Sequence, residues 1–360
     1  MARPTKALID IAALWHNCDL ARTLAPRGKM VAAVKANAYG HGAVEIARAL
    51  ESRVDALGVA GIGEALALRD AGITAPILLL EGCFSAAEVT LASQRDFWLM
   101  VESQEQQQAI VSAKLERPVR AWIKVDTGMH RLGVEPSEAK AVFHALTQSD
   151  NVQGAVVMAT HFAQSDDLQS TYTQQQIRCF QAAVEGLDAP LSLANSAAIL
   201  GWPSAHADWN RPGYMLYGAS PFAAPHVNAE QLQPVMTLQS AVMSVRAVAA
   251  GASVGYGSVW TAERDSRVAT VAIGYGDGYP RQARNGTPVL VTFRRAPLAG
   301  RVSMDMITVD VTDLPDVCVG DEVELWGKAL PVNEVADWAG TIGYELLTRM
   351  QERTPRIFIA

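Results

Sequence analysis

The chain has 360 residues, 49% of them hydrophobic and 19% charged, which is enough apolar material for two domains or one large barrel with an appendage. A formal net charge of −7 and the lack of any basic cluster argue against a nucleic-acid surface. No run approaches the roughly 20 apolar residues of a membrane span, and the opening MARPTKALIDIAALWHNCDL has no cleavable apolar segment. The expectation is a cytoplasmic protein with no membrane partner. Cys18, Cys83, Cys179 and Cys318 are far apart, with no CxxC pair, and are expected to be reduced thiols rather than disulfides or metal ligands.

An opening segment, Ala7–Leu14, leads into a helical stretch to about Ala25. Short apolar runs then alternate with helical patterns. Strands are expected at Met30–Val34, Ala56–Ala60, Pro76–Leu80, Phe97–Val101, Val119–Val125, Gly154–Thr160, Leu191–Ala194 and near Ala207–Asn210. Helical patterns such as Ala43–Leu50, Gly63–Ala71, Gln104–Ala113, Ser137–Leu146 and Ser170–Val184 lie between them. Strands alternating with helices imply parallel βαβ units, and eight of them suggest a (β/α)8 TIM-like barrel. The last strand is the weakest, so an open doubly wound sheet stays in view. No GxGxxG follows the first strand, which argues against an ordinary dinucleotide site.

After about Gln233 the pattern turns β-branched and turn-rich: Leu238–Ala249, Val268–Ile273, Val289–Thr292, Ile307–Val311 and Glu322–Trp326, with a short helix near Val332–Ala339. The fold class is therefore α/β: a barrel domain over residues 1–235, then a mostly-β domain over 236–360.

Active-site groups of such barrels project from the C-terminal ends of the strands. Lys35 ends the first apolar run. Partial burial there disfavours its ammonium form, and a neutral amine can attack an aldehyde, so this is a place for a Schiff-base lysine. A strand-end lysine snorkelling to water is the plainer alternative. Tyr39 then leads into Gly40-His41-Gly42, which reads as flexible backbone before a helix. Lys124 to Arg131 follow the fifth strand, His161 the sixth, Asn195-Ser196 the seventh, and Arg211-Pro212-Gly213-Tyr214 the eighth. Loops after strands seven and eight often hold phosphate. An amine beside a phosphate site suits pyridoxal phosphate. Each residue alone has a bland reading: His161 a structural histidine, Asn195-Ser196 an N-cap, Arg211-Pro212-Gly213 a turn, Gly274–Gly278 a hairpin.

At these residues the sequence resembles the alanine racemase family over nearly its whole length. The resemblance is carried by AVKANAYGHG at Ala33–Gly42, KVDTGMHRLG at Lys124–Gly133, Thr160-His161-Phe162, Asn195-Ser196 and Arg211-Pro212-Gly213. It continues at Gly255-Tyr256-Gly257, Gly274–Tyr279, Gly300–Asp305 and Thr341–Glu345.

The resemblance implies a pyridoxal 5'-phosphate enzyme that interconverts L-alanine and D-alanine with two bases. Lys35 would hold the cofactor and serve one face of the substrate. Tyr256, a turn aromatic on the bland reading, would serve the other face from the partner subunit of a head-to-tail homodimer. Arg211 would face the pyridine nitrogen, and His161 would pack on the ring and link Arg211 to Tyr256. Tyr39, Ser196, Gly213, Tyr214 and Tyr344 would hold the phosphate, with Asn195 supporting that loop. Arg131 would contact the cofactor's phenolic oxygen and the substrate carboxylate. Lys124 would be carbamylated so as to orient Arg131; a plain lysine paired with Asp126 or another acid is the alternative. Met304 and Tyr344 would shape a small pocket, and Asp166, Tyr275, Arg281 and Arg301 would line the approach. Tyr214 departs from the aliphatic residue expected there. Broader-specificity racemases, decarboxylases on a similar plan and non-catalytic cofactor-binding proteins are the competing readings. The product could serve peptidoglycan synthesis or the reaction could serve alanine breakdown.

Overall fold

The computed structural model describes residues 3–360. The first strand, β1 (Lys6–Asp10), runs directly into helix α1 (Ile11–Leu24), which the Asp10 side chain caps by accepting from the Ala13 N–H. Eight parallel strands follow: β2 (Lys29–Ala33), β3 (Ala56–Val59), β4 (Ile77–Leu79), β5 (Phe97–Val101), β6 (Ala121–Lys124), β7 (Val157–Ala159), β8 (Leu191–Ser192) and β9 (Trp209–Asn210). Each pairs with the next from β2 to β8, and β9 returns to pair with β2. The ring is pinned at its last seam by single bonds: Arg211 N–H to the Ala194 carbonyl at 2.9 Å, and Ser192 Oγ to the Trp209 carbonyl at 2.9 Å. Two-residue strands cannot make a full ladder, which is why the eighth is the hardest to read from sequence.

Alternate strand residues point into the barrel, as the two-residue period requires. Val31, Leu78, Met100 and Val157 meet there with Trp98, Trp122 and Trp209, whose rings contact edge to face at 5.3–5.6 Å for the pairs with Trp209. This plug of indoles fills the lower barrel and leaves the cavity to the strands' C-terminal ends.

The second half forms a mostly antiparallel sheet from β10 (Met236–Val248), β13 (Ser266–Val271), β14 (Pro288–Val291), β15 (Arg294–Pro297), β16 (Ile307–Asp310), β17 (Glu322–Trp326) and β18 (Arg356–Ile359), with a small β11 (Ser253–Val254) and β12 (Trp260–Thr261) hairpin. The opening strand belongs here: β1 lies between β10, to which it is antiparallel, and β18, to which it is parallel. The strands from Lys29 to Asn210 thus form one sheet, and those from Met236 onward, with β1, belong to the other half. Among the described residues no helix is long and apolar enough to cross a membrane, and all four cysteines are free thiols.

The segment after Lys35 is a left-handed turn. Ala36, Asn37, Ala38 and Tyr39 all have left-handed φ, between 51° and 55°, and Gly40 follows at 81°. Four consecutive non-glycine residues in this region cost roughly 1–2 kcal/mol each. The turn is held by Ala36 N–H to Glu64 Oε1 at 2.7 Å, Ala43 N–H to Asn37 Oδ1 at 2.8 Å, and Arg356 Nε to the Gly40 carbonyl at 3.0 Å. A Cβ on Gly40 would stand 1.9 Å from the Leu347 carbonyl oxygen. Gly40→Ala is thus expected to destabilise the fold by about 2–4 kcal/mol, a strain-plus-clash effect read as a lowered urea midpoint at unchanged m-value.

Candidate active site

The mouth of the barrel opens into a cavity of about 690 Å³. Lys35, Tyr39, Lys124, Arg131, His161, Asn195, Ser196, Arg211, Gly213, Tyr214 and Tyr344 all line it. Each comes from the end of a barrel strand or the loop after it, except Tyr344, which arrives on the short helix Gly343–Thr348 from the second half. Lys35 lies two residues past the end of β2 and immediately precedes the left-handed turn. Burial lowers its proton affinity; Glu81 opposes this and Arg131 adds to it.

Arg211 is buried, and burial lowers its pKa to about 10, which leaves it a cation at neutral pH. Its terminal nitrogens donate to the carbonyls of Thr160 at 2.5 Å and Ser192 at 3.0 Å, and to Ser192 Oγ. Among the described residues its Nε has no partner, and it is the donor left for a ligand. His161 lies beside it. Burial first, then the Arg211 charge, holds the imidazole well below its usual range, so it is neutral.

Opposite, Asn195 caps the helix Ser196–Gly201 by accepting from Ala198 N–H at 3.0 Å, which seats Ser196 at its first turn. Ser196 Oγ accepts from the Gly213 N–H at 2.9 Å. Gly213 is needed because the Tyr39 hydroxyl lies over it; a Cβ there would be 2.7 Å from that oxygen. Burial pushes the Tyr39 phenol up to about 12, and it pushes Tyr344 and Tyr214 up as well. All three hydroxyls stay protonated; Tyr214 spends its own on Asn333, while those of Tyr39 and Tyr344 form, with the Ser196 hydroxyl and the Tyr214 N–H, a donor cluster of anion size. The Tyr214 ring stacks on Tyr344 at 3.5 Å, and its hydroxyl donates to Asn333 Oδ1 at 2.6 Å. The departure at Tyr214 therefore ties the barrel loop to the second half.

Arg131 is exposed in this chain, and among the described residues it has neither ion pair nor hydrogen bond. Lys124 is paired, and its partner is Glu102 rather than Asp126: Nζ to Oε1 is 2.7 Å. Glu102 and Glu81 are lining residues that the strand-end rule could have found, since they follow β5 and β4 as Lys35 follows β2.

Six other residues singled out in the sequence do not reach this cavity within one chain: Tyr256, Met304, Asp166, Tyr275, Arg281 and Arg301. Asp166 lies near enough to Tyr344 to contribute to its raised pKa. Tyr256 is 72% exposed on a turn between Gly255 and Gly257, both at positive φ, and with Arg301 it lines a separate groove. Gly274–Gly278 is a 3-10 turn, not a hairpin; Asp277 in it is buried and paired with Arg3 and Arg353.

A buried amine of lowered proton affinity, a buried arginine and an anion-sized donor cluster at the mouth of a parallel barrel define an enzyme of the barrel-plus-β-domain kind. Profiles of the "Alanine racemase, N-terminal domain" and "Alanine racemase, C-terminal domain" match residues 9–221 and 235–358. An alanine racemase of Pseudomonas taetrolens is 52% identical, with 99% of each chain covered, and so is a catabolic alanine racemase of Pseudomonas putida. The crystal structure of the biosynthetic alanine racemase from Pseudomonas aeruginosa superposes with a TM-score of 0.96 at 48% identity, covering 99% of this chain and 100% of that one. The chain belongs to the alanine racemase family, isomerases that interconvert L-alanine and D-alanine.

His41 lies beneath Tyr39, fully buried, with Nδ1 donating to the Tyr39 carbonyl at 2.9 Å. Burial lowers its pKa from 6.5 to about 4. Between those values the unfolded chain binds the extra proton and the folded one does not. Stability must therefore fall as pH drops through this window, by about 3 kcal/mol at the lower end. In urea titrations from pH 7 to pH 4.5, His41→Asn is expected to lose that part of the acid slope.

Proposed function

We propose that this cavity holds pyridoxal 5'-phosphate and racemises alanine with Lys35 and Tyr256 of the partner subunit as opposed bases. The observation that carries the reading is the convergence on one cavity of a buried amine, the free Nε of Arg211 and the Ser196–Tyr39–Gly213 donor cluster. These residues fit the group: the amine its aldehyde, Arg211 Nε its ring nitrogen, and the donor cluster with Tyr344 its phosphate. When bound, the cofactor supplies an aldehyde for covalent attachment and a ring that acidifies the substrate's Cα–H.

Arg211 keeps its own proton and so leaves the ring nitrogen unprotonated, which limits electron withdrawal and with it side reactions. Arg131, free of protein partners, takes the alanine carboxylate. Lys35 moves the proton on one face of Cα. A second group must serve the other face, and Tyr256 is too exposed and too far round the surface to do so within its own chain. It shares a groove with Met306, and Met304, Val259 and Tyr275 of the same half are also exposed, which fits an apolar face covered by a second copy. In a head-to-tail homodimer this face brings Tyr256, Met304, Arg301 and Tyr275 to the partner's cavity, with Arg281 and Asp166 at its approach. Met304 and Tyr344 narrow the pocket to a methyl group, each ill-fitting methylene costing about 1–3 kcal/mol.

Incubated separately with protein and cofactor, L-alanine and D-alanine should each converge on an equal mixture by chiral chromatography. Tyr256→Phe and Lys35→Ala should each lower kcat by about 10²–10⁴-fold. Mixing the two inactive variants under subunit exchange should restore about a quarter of wild-type activity, since half the dimers are mixed and each carries one intact site. No rescue on mixing would mean that Lys35 and Tyr256 act within one chain.

A further inference from the structure

Asp277 is fully buried, and it takes no part in the cavity of its own chain. Its Oδ2 accepts from the Gly274 N–H at 2.9 Å, closing the Gly274–Gly278 turn. The same oxygen accepts from Arg3 Nη2 at 2.7 Å, and Arg353 Nε pairs with Oδ1 at 2.9 Å. Both arginines reach on to the next loop. Arg3 Nη2 donates to the Asp305 carbonyl at 2.6 Å. Arg353 Nη2 donates to the Met304 carbonyl at 3.2 Å and pairs with the Asp305 carboxylate at 2.8 Å. The two backbones are joined as well, by Tyr275 N–H to the Ser303 carbonyl at 3.0 Å and Gly276 N–H to the Met304 carbonyl at 2.9 Å. The fit leaves no slack: a Cβ on Gly274 would stand 2.2 Å from the Ser303 carbonyl oxygen. From this base Tyr275 and Met304 emerge 37% and 53% exposed.

We infer that Asp277, through Arg3 and Arg353, fixes where Tyr275 and Met304 stand on the face that completes the partner's cavity, and so sets the side-chain size that cavity accepts. The inference rests on the shared-site reading above. A buried carboxylate is costly to desolvate, and here donors from three separate segments meet it. The Gly274 N–H alone would close the turn. The arginines come from the chain's opening and from just before β18, and what they add is a tie between the turn and Met304–Asp305. A planar guanidinium suits this task, because its several donors can hold a carboxylate and a neighbouring carbonyl at once. With the Asp277 charge removed, the arginine side chains, 34% and 41% exposed, are free to turn to water. The loops would keep their backbone bonds but lose the brace that holds Tyr275 and Met304 in register. Asp277 is thus a positioning residue: it acts on the pocket through these two side chains and does not touch the substrate.

The test mixes inactive holoenzyme variants under subunit exchange, so that only mixed dimers carry both bases at one site. In the first mixture Lys35→Ala/Asp277→Asn meets Tyr256→Phe, which puts the loosened loops on the chain that lends Tyr256 to the live site. In the second, Lys35→Ala meets Tyr256→Phe/Asp277→Asn, which puts them on the chain that lends Lys35. The first should show a several-fold higher KM for alanine and a several-fold lower alanine-over-serine ratio of kcat/KM, serine being larger by one hydroxyl. The second should match Lys35→Ala mixed with Tyr256→Phe. Partial unfolding would lower the number of live sites in either mixture and leave KM and the ratio alone. Amide hydrogen exchange in the Asp277→Asn holoenzyme should quicken at 274–278 and 303–306 and stay unchanged in the barrel strands. A kinetic shift equal in both mixtures, confined to the second or absent from both overturns the inference, as does unchanged exchange in the two loops. If the Asp277→Asn chain does not fold, Arg353→Lys takes its place, since one ammonium cannot span Asp277 and the Met304 carbonyl together. No turnover in Lys35→Ala mixed with Tyr256→Phe would instead refute the shared site, whatever the exchange shows.

Discussion

Everything at the mouth of the barrel depends on a strained piece of backbone. Four left-handed residues between Lys35 and Gly40 aim the amine and the Tyr39 hydroxyl into the same cavity from one short turn. Nothing local favours such a run, since each residue carries a steric penalty. What holds it comes from elsewhere: Glu64 from the next barrel unit, His41 folded beneath, and Leu347 and Arg356 from the far end of the chain. The mostly-β half of the chain thus helps to hold the cavity's wall. Strain of this kind persists where surrounding structure over-determines it.

The same assembly sets the electrostatics. A buried cation and a neutral imidazole share one wall, where the terminal nitrogens of Arg211 donate to backbone carbonyls and burial, with the Arg211 charge adding to it, keeps His161 uncharged. Protonated phenols crowd the other wall, at the donor cluster. The carboxylates Glu81 and Glu102 stand between Lys35 and Lys124 and prevent the cavity from becoming an undifferentiated positive well. A substrate that is itself a zwitterion requires such a balance: a site for its carboxylate that does not repel its amine.

The barrel was legible because a buried parallel strand is a short uninterrupted apolar run; Phe97–Val101 and Ala43–Leu50 match the sequence pattern to the residue. Strand-end position then located Lys35, His161 and Arg211. Three things were not legible, each for a physical reason. β1 reads like any amphipathic opening strand, and its partners β10 and β18 lie more than 200 residues away. The left-handed turn has no compositional signal, because alanine, asparagine and tyrosine adopt it under tertiary duress. The Glu102–Lys124 pair joins two barrel strands, and sequence offered Asp126, two residues from Lys124, as the nearer acid. Tyr256 and Met304 were named from the resemblance alone; a single chain leaves them on its surface, outside the cavity.

The position of β1 bears on how the molecule comes into being. During synthesis β1 is made long before its partners, since Lys6 pairs with Gln239 and Ala7 with Arg356. The barrel that separates them can form meanwhile, because its own pairings are sequential. β1 must therefore wait, tethered to α1, until β10 has been made, and it keeps one unpaired edge until β18 follows. Completion of the second sheet joins the two ends of the chain, and the same event brings Arg356 and Leu347 against the turn that aims Lys35. An arrangement of this sort makes the turn depend on β18: a product cut short of it would carry Lys35 and most of the cavity, but not the Arg356 contact that holds the turn.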